Sequence, residues 1–149
     1  MRSAFIFVFL AGLLAQGAAH AALGGAPSDF GVAKTGLKAR VLAAASGAYK
    51  VSDSVLANGT TVREYIKGDG QVFAVSWKGP FLPDLRTLLG EHFTTLTTAA
   101  AQTPKAGHSQ LVVTRPQVVI ESGGHMRAFV GRAWIPTDFP PGFSAADIQ

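Results

Sequence analysis

Two sets of side chains in this sequence have the types that acid-base or anion chemistry needs. Asp53, Glu64 and His92 form the first. Two carboxyl groups and an imidazole brought together can divide the roles of proton donor and acceptor in a small hydrolase or lyase, because like charges at close range hold one carboxyl protonated. Glu121, His125 and Arg127 form the second, around a pair of glycines, where they can grip a carboxylate or phosphate. Each set has a plainer structural reading. Asp53 can sit near an edge or bulge while Glu64 bonds a neighbour and His92 is a satisfied, half-exposed ring. Glu121 and Arg127 can be a surface ion pair worth under about 1 kcal/mol. Other site chemistry lacks its signature. No Gly-x-Ser-x-Gly elbow and no glycine-rich loop from strand to helix occurs. His92, His108 and His125 lack the spacing of a zinc helix, and the absence of cysteine removes thiolate metal sites and disulfides. No metal and no cofactor is expected.

The elements that position these residues follow from hydrophobic period and turn chemistry. Residues 49–56, 61–67 and 72–78 alternate apolar and polar as strands do, and Asn58-Gly59 and Asp69-Gly70 join them. Both dipeptides favour two-residue type I′ turns. Counting from such turns sets Val55 opposite Val62, Val51 opposite Ile66, Ile66 opposite Phe73 and Val62 opposite Trp77. Asp53 then faces Glu64 on the apolar face shared with Val51, Val75 and Trp77. Leu85, Leu88, Leu89, Phe93 and Leu96 recur at helical spacing over residues 84–99, with Asp84 near the positive end of the dipole and His92 along the same stripe. Three more strands are expected at 111–114, 117–122 and 126–134. A three-residue loop Gly123-Gly124-His125 would place Glu121 opposite Arg127. Tyr65, Trp77, Phe129 and Trp134 can line a groove or fill the core. The expected fold is α+β: an antiparallel three-stranded meander, one amphipathic helix, then further antiparallel strands ending in a hairpin, in a single domain.

The order of several motifs is distinctive: Thr60-Thr61-Val62-Arg63-Glu64-Tyr65, Gly70-Gln71-Val72-Phe73-Ala74-Val75-Ser76-Trp77-Lys78-Gly79-Pro80, Leu82-Pro83-Asp84-Leu85-Arg86 and Ser122-Gly123-Gly124-His125-Met126-Arg127-Ala128-Phe129. With Ala22-Leu23-Gly24-Gly25-Ala26-Pro27 at one end and Asp147-Ile148-Gln149 at the other, the chain resembles the domain of unknown function 2844 family of small exported proteobacterial proteins. The resemblance covers most of residues 49–149. It implies an envelope or secreted location and transfers no catalytic residue.

The first 21 residues carry a positive charge at Arg2, an apolar run from Ala4 to Ala15 and the small-x-small pattern Ala19-His20-Ala21, the order of a cleavable signal peptide. Cleavage is expected after Ala21, giving a periplasmic or secreted protein. Residues 22–47, rich in Ala, Gly and Ser, read as a flexible arm, 48–136 as the folded domain and 137–149 as a Pro-containing tail in which Ser144 and Asp147 mimic a capping box. Losing Arg2 lowers the formal charge from +4 to +3. Lys and Arg are scattered without aromatic interleaving, which argues against nucleic acid, and no later stretch is apolar for long enough to span a membrane. The function expected is a non-catalytic binding or accessory module of the bacterial envelope, contacting another envelope or secreted protein or an envelope ligand. The alternative is the Asp53, Glu64 and His92 hydrolase or lyase. A third reading is loose association with anionic lipid or polysaccharide.

Overall fold

The computed structural model describes residues 23–28, 49–102 and 110–149. The expected signal peptide at 1–21, the expected arm from residue 29 onward, most of the expected loop before Gly107, and His108 fall outside the described residues. Strands β1 (Lys50–Val55), β2 (Thr61–Ile66) and β3 (Val72–Gly79) precede helices α1 (Leu85–Leu89) and α2 (Phe93–Gln102). Strands β4 (Leu111–Thr114), β5 (Val119–His125) and β6 (Ala128–Trp134) follow. All pair antiparallel in one sheet of order β1-β2-β3-β6-β5-β4, so the α+β single-domain architecture is as the sequence predicts.

The first hairpin departs from its expected register by one residue. Gly59 N donates to Leu56 O at 2.9 Å and Leu56 N to Thr60 O at 2.8 Å, which encloses a three-residue loop. Asn58 keeps a negative φ while its Oδ1 accepts from Thr60 N at 3.0 Å, and only Gly59, at φ 85°, turns left-handed. That is a type I turn with a glycine bulge, a geometry that the same dipeptide serves as well as type I′. The extra residue sets Asp53 opposite Arg63 and Val51 opposite Tyr65, and every β1 side chain changes face. The second hairpin uses the same turn, with Gly70 at φ 90°. Here a bulge beside Ile66 absorbs the extra residue: Ile66 faces Val72 instead of Phe73, and Val62 faces Trp77 as expected. The third hairpin turns at Met126-Arg127, with Arg127 at φ 66°, so β5 runs on through both glycines and Glu121 faces Arg132 instead of Arg127.

The helices lie on one face of the sheet. Asp84 caps α1 by accepting from Arg86 N at 3.0 Å and Thr87 N at 3.3 Å. The single helix expected over 84–99 is interrupted at Gly90, whose φ of 53° breaks the α geometry and leaves a 3-10 turn over Gly90–His92 before α2. Leu88, Leu89 and Leu96 pack with Val62, Ile66, Val75, Trp77, Ile120 and Ala133. Leu23, within the expected arm, is buried in this same core. Its segment is stitched down by Leu23 N to Leu88 O at 3.1 Å, Gly24 N to Val72 O at 2.7 Å and Val72 N to Gly25 O at 2.8 Å.

Residues 136–149 cross part of the opposite face. Phe139, Phe143 and Ile148 pack on Tyr49, Val51, Tyr65, Phe73 and Trp134, with ring centroids of Phe73 and Phe143 4.9 Å apart. Burial pushes the Tyr49 phenol above its ordinary pKa, and the nearby Asp147 charge adds to this. Asp147 Oδ2 accepts from Ser144 N at 2.8 Å, closing a 3-10 turn over Ala145–Asp147, and Gln149 N donates to Tyr65 Oη at 2.9 Å. Two hydrophobic layers thus clamp the sheet, and one stretch of the second face is left for other work.

Candidate functional site

That stretch carries a row of polar residues running across five strands. Cross-strand pairing places Asp53 of β1, Arg63 of β2, Ser76 of β3, Arg132 of β6 and Glu121 of β5 side by side. Alternation of side chains sends all five to the face away from the helices. Each arginine is pinned from outside by a carboxylate. Arg63 donates through Nε to Asp53 Oδ1 at 2.6 Å and through Nη2 to Oδ2 at 2.9 Å. Arg132 donates through Nε to Glu121 Oε2 at 2.7 Å and through Nη1 to Ala145 O at 2.9 Å, and its guanidinium lies 5.3 Å from the Trp134 ring centroid. The hydrogen bonds to Asp53 hold the Arg63 guanidinium above its already high pKa, so it stays charged. Ser76, between the two arginines, is buried and donates to Gln149 O at 2.7 Å.

The next row on this face is Thr61, Lys78, Val130 and Gly123. Together the rows, without Asp53 at the outer end of the first, form the floor of a groove of about 560 Å³, bordered by Gln110, Ile148 and Gln149. Its size lies within the roughly 300–1,000 Å³ of sites that hold small ligands. Glu121, the carboxylate that lines it, accepts from Arg132, and no histidine among the described residues lines the groove. The arrangement is suited to holding a ligand by charge and shape.

The residues singled out in the sequence are dispersed. Asp53 belongs to the charged row, while Glu64, one residue along from Arg63, points to the helix face, where it is 1 % exposed and accepts from Ser28 N at 2.8 Å. The two carboxylates therefore lie on opposite sides of the sheet and share no site. His92 sits in the 3-10 turn, its Nε2 3.8 Å from Glu91 Oε1. Glu121 joins the charged row. His125 and Arg127 lie at the exposed hairpin tip, away from the groove lining. Among the described residues no three of His, Asp and Glu gather as metal ligands, and no helix is long and apolar enough to cross a membrane. Arg63, Ser76, Lys78 and Arg132 escape the sequence reading. Their alternation along β2, β3 and β6 is visible, but only the observed registers line them up.

A family model described as a protein of unknown function, DUF2844, matches residues 19–148. The chain belongs to this family. The DUF2844 match takes in the docked Leu23 segment, all six strands, and every residue of the charged row. No curated protein and no solved structure matches the chain. In this DUF2844 protein the groove is the feature with the shape and charge of a binding site.

Proposed function

We propose that this DUF2844 protein is an exported, non-catalytic binding module that holds a ligand in the groove on the open face of its sheet. The observation that carries this reading is the row Asp53, Arg63, Ser76, Arg132 and Glu121. Two fixed guanidinium groups, each oriented by a carboxylate, flank a buried serine at the floor of a ligand-sized concavity. Such pre-oriented donors favour recognition, because little side-chain freedom is lost when a ligand arrives. Acid-base catalysis by Asp53, Glu64 and His92 lacks support, because Asp53 and Glu64 face opposite sides of the sheet.

Export is supported by Arg2, the apolar run that follows and Ala19-His20-Ala21. It is also supported by the burial of Leu23 just beyond the expected cleavage point, since removal of residues 1–21 leaves that anchor intact. The full chain incubated with small molecules extracted from the bacterial envelope should retain a component that mass spectrometry finds chemically unchanged. Val130→Trp, which narrows the groove at a half-exposed position, should lose it. Conversion of the retained component, or its equal retention by Val130→Trp, would contradict the reading.

A further inference from the structure

Resting on the export reading, we propose that the signal peptide is removed before the Leu23 segment docks: cleavage comes first and folding second, and a chain that folds first keeps its leader. The bond to be cut joins Ala21 to Ala22. Its hydrolysis adds one water, leaving a carboxylate on Ala21 and an amine on Ala22. Only Ala22 separates that bond from an anchored residue, and consecutive Cα atoms lie about 3.8 Å apart. Leu23 is 2 % exposed in the helix-side core, and its N–H donates to Leu88 O at 3.1 Å. The next two residues are held as well: Gly24 N donates to Val72 O at 2.7 Å, and Gly25 O accepts from Val72 N at 2.8 Å. Further along, Ser28 N donates to Glu64 Oε1 at 2.8 Å, with both residues buried.

A peptidase takes its substrate as an extended chain, with residues on both sides of the bond lying in its cleft and their backbone groups free to pair with its own. Here the residues on the C-terminal side of the bond already give a side chain and their backbone groups to the fold. Before a folded precursor can be cut, Leu23 must leave the core and the bonds to Leu88 and Val72 must break. Cleavage then follows the small population of that opened form. A chain that has not yet folded holds none of these bonds and presents its cleavage point at once. The contacts that fix the N-terminal segment therefore set the order of maturation.

The folded, full-length precursor incubated with detergent-solubilised signal peptidase tests this, beside a free peptide of residues 10–28 that has no sheet to dock on. The peptide should be cut after Ala21, and the folded precursor at least about tenfold more slowly. Leu23→Ser should bring the precursor most of the way to the peptide's rate. Gly24→Ala is the second variant, since it removes no core side chain: Gly24 has φ 88°, and an added Cβ would stand 3.3 Å from Ile135 Cδ1. Its precursor should also be cut faster than the wild type, with amide spectra showing that the sheet remains folded. Peptides carrying the same substitutions report the peptidase's own preference. A folded precursor cut as fast as the peptide, or a folded Gly24→Ala precursor cut no faster than the wild type, would overturn the proposed order and leave the export reading standing. A peptide left uncut after Ala21 would overturn the export reading itself.

Discussion

At the scale of single residues, Gly131 shows how closely the sheet is fitted to its contents. It faces Trp77 across β3 and β6, and a Cβ built on it would come within 2.2 Å of the indole and 2.7 Å of Glu121 O. The ring is 1 % exposed and has no room to retreat, so Gly131→Ala should destabilise the fold by about 1 to 3 kcal/mol, read as a lower urea midpoint. An unchanged midpoint would show that Trp77 packs elsewhere. Glu64 makes the complementary point. Its residue type and its apolar neighbours are plain in the sequence and mark it as unusual, yet its partner Ser28 lies 36 positions away, beyond the reach of local pattern. The arginines of the groove are inconspicuous in the sequence for the opposite reason. Each looks like an ordinary exposed charge on an alternating strand until the pairing register puts it beside its carboxylate.

At the scale of elements, strands and helices were legible because periods of two and of 3.6 are written directly in the side chains. Register was not. Asn58-Gly59 and Asp69-Gly70 suit a type I′ turn and a type I turn with a glycine bulge alike, and the two differ by one residue. In β1 that residue carried Asp53 away from Glu64. In the second hairpin the bulge beside Ile66 cancelled the shift by Trp77. The α1 start was legible through its cap, and it carries a pH signature. Thr87 Oγ1 donates to Asp84 at 2.6 Å, and this bond, followed by those from the Thr87 and Arg86 amides, lowers the Asp84 pKa below 3.8. Because the folded value is depressed, the contribution is complete above about pH 4 and is lost as pH falls through the folded value. Asp84→Ala should therefore cost about 1 kcal/mol at neutral pH and progressively less as the solution is acidified below pH 4, measured by thermal melts across that range. A constant cost down to pH 2 would contradict the capping role.

At the scale of the whole molecule, the sheet is covered by helices on one side and, in part, by residues 136–149 on the other. Phe143 joins that second cover to the sheet, with ring centroids 4.9 Å from Phe73, 5.1 Å from Tyr49 and 5.7 Å from Tyr65. Phe143→Ala should cost about 3 kcal/mol in chemical unfolding, a core-sized loss from a segment whose prolines and polar ends give little sign of it in the sequence. A loss below about 0.5 kcal/mol would mean that the segment adds no stability. Since Gln149 and Ile148 border the groove and Ala145 O holds Arg132, the same packing that stabilises the fold also shapes the site. A binding module of this kind must hold its ligand in that site. A crystal structure of the full chain grown with the component it retains from envelope extract is the most direct test. Density is predicted in the groove lined by Arg63, Arg132, Glu121 and Val130, whereas density on the helix face beside Glu64 would contradict that reading.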